Sequence, residues 1–153
     1  DAIIIYVPDH GEECYEENRG FICRNHSANI DWKLAHYEFE IPFWIYCSKK
    51  YIQKHRTIYR QIRAAKDKRM MTDALPHLLL YLAGIETPTY KEENNILSPK
   101  YNEMRPRILK NSADYDKLRD EYLKTQAKQE EKKQDKKKDK KQGKKQTKKG
   151  ARK

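Results

Sequence analysis

The sequence predicts an α/β fold, because two strand-like runs and two helix-like runs follow one another along the chain. Residues 2–7 form a continuous, mostly β-branched apolar run. Such a run is typical of a strand buried on both faces, as in a parallel sheet covered by helices. Residues 37–47 are rich in aromatic and β-branched side chains, and Pro42 places the start of this second strand near Phe43.

Two helices are predicted to follow the second strand. The first covers residues 51–66, and its apolar stripe consists of Ile52, Ile58, Tyr59 and Ile62. For the second helix, Thr72 or Asp73 is a plausible N-cap. Pro76 stands in its first turn, where the missing N–H costs little, and Gly84 ends it as the C′ residue. The intervening segments are predicted to be loops, with one short extended piece in residues 85–107.

The charge of the chain is concentrated at its C-terminal end. Residues 126–153 contain 14 Lys or Arg and 4 Asp or Glu, whereas the preceding residues contain 20 basic and 19 acidic side chains. This tail has almost no apolar surface to bury, so it is predicted to be disordered after a last helix over residues 113–124. Its lysines could contact an anionic surface, nucleic acid or only solvent. The absence of aromatic side chains in the tail argues against single-strand nucleic-acid recognition.

A polar turn, Asp9-His10-Gly11-Glu12, follows the first predicted strand. Open α/β sheets bind their ligands at the carboxyl ends of strands, which is where this turn stands. The Asp9 carboxylate and the His10 imidazole can face one cation, and this pair suits zinc or manganese better than calcium. Gly11 permits a tight bend, and Glu12 could orient His10 as its hydrogen-bond partner. Taken alone, such a turn is more often an ordinary solvated one, because short motifs match by chance.

Four segments of the chain together resemble one family, the sulfatase-like phosphoethanolamine transferases of the alkaline phosphatase superfamily. The segments are residues 1–13, similar to the late metal-binding strand; Asn25-His26, similar to the second histidine after the loop; residues 40–45, similar to the next strand; and residues 72–79, similar to the closing helix. Their order and spacing agree with the family over about residues 1–110. Two positions depart from its pattern: Pro8 stands where serine is usual, and Ser27 stands where glycine follows His26.

The resemblance implies that residues 1–110 are the C-terminal part of an alkaline-phosphatase-like α/β/α sandwich. Residues 111–125 would be a terminal helix and residues 126–153 a disordered Lys-rich tail. The rest of the catalytic domain would lie upstream, in the bacterial periplasm, attached to the inner membrane by an N-terminal anchor that these residues lack. The partners would be a phospholipid donor, a lipid or glycan acceptor and that upstream part of the domain, with no specific nucleic acid.

The chemistry that the resemblance implies is zinc-dependent transfer of phosphoethanolamine from a phospholipid to lipid A or a glycan. The reaction would pass through a covalent phospho-threonine intermediate, whose nucleophile is not among these residues. Asp9 and His10 would be zinc ligands, with manganese as a possible substitute, and Glu12 would stand behind them. His26 would contact the substrate phosphate or a second metal ion, and His36 is the alternative for that role.

Several alternatives stay open at this point. A sulfatase or phosphodiesterase-type ester hydrolase would use the same scaffold, although His10 favours zinc over the calcium of usual sulfatases. A non-enzymatic basic binding protein, or the same fold with an inactive site, belongs to a different class. Cys14 and Cys23 could form a disulfide in an oxidising compartment, or all three cysteines, including Cys47, could be reduced thiols.

Overall fold

The computed structural model describes residues 1–24 and 30–150, which form a mixed α/β structure with three small sheets. The elements in chain order are β1 (Ile3–Tyr6), β2 (Glu13–Cys14), a 3-10 turn (Glu16–Asn18), β3 (Phe21–Cys23), α1 (Trp32–Phe39), β4 (Trp44–Cys47), α2 (Lys49–Lys54), α3 (Arg56–Ala64), a 3-10 turn (Thr72–Ala74), α4 (Leu75–Ala83), a 3-10 turn (Glu92–Asn94), β5 (Ile108–Leu109), β6 (Ala113–Asp114) and α5 (Tyr115–Gly150). The α/β class is therefore present in the described residues.

The two predicted strands are present, but they pair differently from the expectation. β1 and β4 form an antiparallel two-stranded sheet in which Ile4 lies opposite Tyr46 and Tyr6 lies opposite Trp44. These four side chains are 45 to 53% exposed, so one face of the sheet is open to solvent. The prediction of a parallel strand buried on both faces is wrong for the described residues, because the β-branched run pairs in an antiparallel two-stranded sheet with one solvated face.

Residues 12–31, predicted to be a loop, contain regular structure. β2 and β3 form a short antiparallel pair with a 3-10 turn between them. The fully buried Glu13 accepts two hydrogen bonds from Arg19, at 2.8 and 2.7 Å, which neutralises a carboxylate inside the hairpin. Helix α1 then occupies residues that were predicted to lead into the second strand. It begins because the Asp31 side chain accepts a hydrogen bond from the Leu34 N–H at 2.8 Å.

The helices after β4 agree with the sequence in extent but not in every boundary. The predicted helix over residues 51–66 is two helices, α2 and α3, which meet at His55. The predicted N-cap at Thr72 or Asp73 is wrong, because these residues form a 3-10 turn before α4 and Asp73 pairs with Arg105 instead. Gly84 does end α4, in a left-handed conformation with φ of 65°. Residues 85–107 contain a 3-10 turn and no strand.

Two apolar clusters hold the described residues together. The larger one packs α3, α4 and the 92–98 segment around four buried side chains, Ala65, Leu78, Ile96 and Leu97. The smaller one joins α1, β5 and the start of α5 through Ala35, Leu109 and Tyr115. Trp32 of α1 packs on Tyr115 and on Tyr122, with ring centroids 5.1 and 6.2 Å apart. The first two turns of α5 are therefore fixed to the body of the molecule.

The rest of α5 extends away from these contacts. Residues 127–133 are exposed, and the helical backbone continues to Gly150. A helix without a packed apolar face is only marginally stable in water. The helical backbone therefore does not test the predicted disorder of residues 126–153, which stays a prediction. Among the described residues, every helix is too short or too polar to cross a lipid bilayer.

Candidate metal site and basic cleft

A cleft of about 920 Å³ opens between the end of β1, α1, α3 and the β5 segment. Asp9 and His10 line it at the end of β1, where the sequence places the polar turn. Its other charged lining residues are mostly basic: Arg24, Glu38, Glu40, Arg63, Lys66, Lys68, Arg107 and Lys110. Six basic side chains outnumber three acidic ones, so the cleft favours an anionic ligand.

The Asp9–His10 pair presents two acceptor atoms towards one point. The His10 Nδ1 lies 2.9 Å from the Gly11 carbonyl oxygen, which can only accept, so Nδ1 is the donor in this hydrogen bond and Nε2 is the nitrogen that a metal ion could bind. The backbone N–H of His10 donates to Asp9 Oδ1 at 3.1 Å, and Asp9 Oδ2 lies 3.5 Å from His10 Nε2. Two ligand atoms of a tetrahedral zinc ion are about 3.4 Å apart. The pair therefore fits two corners of a zinc site.

Gly11 fixes this turn against helix α1. Its N–H donates to the Glu38 carbonyl oxygen at 2.9 Å, and a Cβ at this position would stand 2.2 Å from the Tyr37 carbonyl oxygen. The backbone φ of Gly11 is not positive, so the glycine is required by close approach of two backbones and not by a left-handed turn. We call Asp9 and His10, with Gly11 and Glu13 behind them, the turn wall of the cleft.

Arg107 and Tyr115 also line the cleft, and Arg107 is held there by a carboxylate that it shares with a second arginine. Arg107 donates to Asp116 at 2.7 and 3.2 Å, and Arg69 pairs with the same carboxylate. The Arg107 guanidinium also lies 4.4 Å from the centre of the Tyr115 ring. Hydrogen bonding from Arg107 lowers the pKa of Asp116, and the charges of Arg107 and Arg69 lower it further. We call Arg107 and Tyr115, with Asp116 and Arg69 behind them, the arginine wall.

Tyr115 ties the arginine wall to α1 through a second contact. Its hydroxyl hydrogen-bonds to Glu40, which is also 2.9 Å from His36 Nδ1. Burial raises the pKa of Tyr115, and the hydrogen bond with Glu40 raises it further. Tyr115 is therefore a neutral hydroxyl at ordinary pH. His36, the alternative to His26, is engaged in this contact and does not line the cleft.

The other predicted site residues lie as follows. Glu12 is exposed, and the Nδ1 atom that it could orient is bonded to the Gly11 carbonyl oxygen instead. Its role as partner of His10 stays a prediction. His26 lies outside the described residues. His77 bonds through Nδ1 to the Lys91 N–H at 3.1 Å, which agrees with a packing role.

All three cysteines are free thiols. In the β2–β3 pair Cys14 lies opposite Phe21 and Cys23 lies opposite Glu13, so the two cysteines are not directly paired across the strands. Desolvation raises the pKa of the Cys14 thiol, and the carboxylates of Glu16 and Glu12 raise it further. The Cys14 thiol is therefore poorly suited to act as a nucleophile near neutral pH.

Glu38, Lys110 and Arg107 are cleft residues that the sequence did not single out. Glu38 is fully buried, and its Oε2 lies 3.9 Å from Lys110 Nζ. The only local signal for Glu38 was its place among aromatic residues before Pro42, where a solvated acid would be out of place. Nothing in the sequence near residues 107–110 predicts that they line the same cleft as Asp9 and His10, because the two segments are far apart in the chain.

Within residues 1–24 and 30–150, no group of three or more His, Cys, Asp or Glu side chains is arranged to hold a metal ion. A zinc site built on Asp9 and His10 would need further ligands from outside the described residues. Comparisons with protein-family models, with curated proteins and with solved structures give no match to this chain.

Proposed function

We propose that this chain is the C-terminal part of a zinc-dependent enzyme that transfers phosphoethanolamine from a phospholipid to a lipid A or glycan acceptor. The observation that carries the proposal is the Asp9–His10 pair, whose Oδ2 and Nε2 atoms are 3.5 Å apart at the edge of a basic cleft. The transferase branch is inferred from the resemblance of residues 1–13, 40–45 and 72–79. The same resemblance is the basis for proposing an α/β/α sandwich and a periplasmic location.

In this proposal each part of the cleft has a chemical task. Asp9 and His10 would hold the metal, which supplies Lewis-acid polarisation of a phosphoryl oxygen. The Gly11 carbonyl oxygen accepts a hydrogen bond from Nδ1 of His10 and would orient the ring so that Nε2 can bind the metal. Lys110, Arg107 and Arg24 line the cleft and would attract the negative charge of the phosphate diester. The threonine nucleophile and the remaining acidic ligand would come from upstream residues.

The metal site is tested first, by zinc titration of the full-length gene product against a competing chromophoric chelator. We expect H10A and D9N each to weaken zinc binding by at least tenfold, because H10A removes the imidazole ligand and D9N removes the negative charge of the carboxylate ligand. The matched control is H55A, since His55 is an exposed histidine that does not line the cleft. Equal zinc affinity of H10A and H55A would remove the basis of the proposal.

Transfer is separated from hydrolysis in the full-length gene product, with a phosphatidylethanolamine donor that is fluorescent in its acyl chain. Both reactions release fluorescent diacylglycerol, but only transfer leaves phosphoethanolamine covalently on an added lipid A acceptor. Free phosphoethanolamine with no modified acceptor would favour the ester hydrolase of the same superfamily. No donor cleavage, together with unchanged zinc binding in H10A, would favour a non-enzymatic binding protein.

A further inference from the structure

The C-terminal part of α5 has a four-residue repeat. From Lys132 to Lys149 the sequence is KKQD, KKKD, KKQG, KKQT and KK, so two lysines recur every four residues. The two early repeats contain Asp135 and Asp139, whereas the equivalent later positions are Gly143 and Thr147. Residues 140–149 therefore contain six lysines and no acidic side chain.

Because the backbone of residues 115–150 is helical, the period of the repeat determines on which side of the helix the lysine residues lie. An α-helix turns by about 100° per residue, so a period of four shifts each repeat by only about 40° around the axis. Three successive repeats consequently place six lysine residues on one half of the helix circumference. Lysines four positions apart are neighbours along that half, and like charges at this spacing oppose helix formation in water.

Such a helix is stabilised by a partner that supplies many negative charges along its length. A bilayer that contains anionic lipids does so, and each lysine near its surface strengthens binding about fivefold. The 126–153 segment has no aromatic residue for base stacking, and its only arginine is Arg152. Lysines act as point charges, without the bidentate geometry of arginine, which suits a diffuse array of headgroups better than specific nucleic-acid contacts.

The N-terminal end of helix α5 lies at the cleft. Tyr115 lines the cleft, and the next residue, Asp116, is held by Arg69 and Arg107. A tail bound to a surface would therefore keep the cleft within one helix length of that surface, which is about 54 Å for 36 residues. A phospholipid-cleaving site gains from this placement, because its donor is confined to the bilayer.

We propose that residues 128–149 bind the headgroups of an anionic bilayer as a helix and tether the basic cleft to the membrane surface. The choice of a lipid surface over other polyanions rests on the proposed function. The helix and the bilayer stabilise each other, since headgroup charge relieves the repulsion between the lysines. Binding consequently increases the helix content of the chain and weakens as salt concentration rises.

The experiment compares chain 1–153 with K141Q/K144Q/K145Q and with the matched control K49Q/K50Q/K91Q, which removes three exposed lysines from the body. Glutamine keeps helix propensity near that of lysine, so the folded chain is preserved. Binding is measured by co-sedimentation with vesicles of 70% phosphatidylcholine and 30% phosphatidylglycerol. We expect the tail variant to bind about 100-fold more weakly, the control to stay within threefold of wild type, and circular dichroism at 222 nm to show added helix only with anionic vesicles.

Three outcomes would overturn the proposal. They are equal binding to pure phosphatidylcholine vesicles, a tail variant that binds as well as the control, and tighter binding to a 20-nucleotide DNA strand than to the anionic vesicles at equal phosphate concentration. The vesicle measurement involves neither zinc nor turnover. A negative vesicle result would therefore not count against the proposed zinc site of Asp9 and His10. A negative zinc titration would likewise not change the vesicle result.

Discussion

The two walls of the cleft hold their side chains by different means. In the turn wall, Gly11 bonds to the α1 backbone, and Glu13, which is fully buried, pairs with Arg19 at 2.7 Å. In the arginine wall, Asp116 keeps 26% of its side-chain surface exposed and pairs with Arg69 and Arg107. Shape and an ion pair with a fully buried carboxylate fix the first wall, whereas ion pairs with a partly exposed carboxylate fix the second.

This difference predicts how each wall responds to change. Contacts between backbones do not depend on pH or salt, and a buried ion pair is screened less than a solvated one. The backbone of the turn at Gly11 should therefore be insensitive to solution conditions, while the position of Arg107 should follow pH. A metal site benefits from a rigid backbone, as in the turn wall. A surface that binds variable anionic ligands tolerates the more adaptable ion pairs of the arginine wall.

The largest effect is expected from breaking the buried pair behind the turn wall. Arg19→Met leaves Glu13 as an uncompensated buried carboxylate, so we expect the free energy of unfolding to fall by about 3 kcal/mol. Urea denaturation at pH 7 measures it. The double variant E13Q/R19M removes both charges and should regain at least half of the loss. Unchanged stability of R19M would mean that solvent reaches Glu13 and that the two walls do not differ in this respect.

A second effect is expected at Gly11. Gly11→Ala places a Cβ 2.2 Å from the Tyr37 carbonyl oxygen, so the turn must move away from α1, and we expect a loss of about 2 to 3 kcal/mol. The matched control is Gly84→Ala, where a Cβ would meet nothing within 4 Å and only the φ of +65° is unfavourable. That change should cost about 1 kcal/mol. A G11A protein more stable than G84A would contradict close packing of the turn wall.

The smallest effect concerns the arginine wall and depends on pH. The pKa of Asp116 is lowered in the folded state, so its pairs stabilise the protein fully above the ordinary carboxyl value of 3.8 and are lost as pH falls through the folded value. Asp116→Asn should therefore lower the free energy of unfolding by about 1 kcal/mol at pH 7, after allowance for solvent screening. The deficit should shrink as pH falls below 3.8 and through the lowered pKa of Asp116 in the folded state.

Unfolding curves of wild type and D116N between pH 2 and 7 provide the measurement. The control is Asp120→Asn, an exposed acid on the same helix, which should change stability little at any pH. If D116N and D120N behaved alike, the arginine wall would owe its order to packing of Tyr115 and not to charge.

The sequence predicted those elements whose signals are local. The β-branched run of β1, the proline in the first turn of α4 and Gly84 at its end all act within a few residues, and each is found in the structure. The aromatic segment before β4 misled the prediction, since aromatic residues favour strands while α1 is fixed by its Asp31 cap and by packing of Trp32 on α5. Tertiary contacts therefore determined that residues 32–39 form a helix and not a strand.

The candidate site likewise combines residues that a local sequence pattern indicates with residues that only the tertiary fold brings to the cleft. Asp9 and His10 could be selected from the sequence, because a strand followed by a polar turn is a local pattern. The basic lining from Arg107 and Lys110 could not, since about one hundred residues separate them from the turn. The reason for Gly11 was also inaccessible: its neighbour is a carbonyl oxygen of α1, and no sequence pattern indicates that approach.

The positions of the two tryptophans have a spectroscopic consequence. Trp44 is half exposed and stacks on Tyr6, whereas Trp32 packs between His36 and the first turns of α5. The indole emission of a W32F protein should therefore resemble that of tryptophan in water and report on the β1–β4 sheet. A W44F protein should emit at shorter wavelength and report on the docking of α5. The chain thus carries two separate optical probes, and no added dye is needed to follow its two halves.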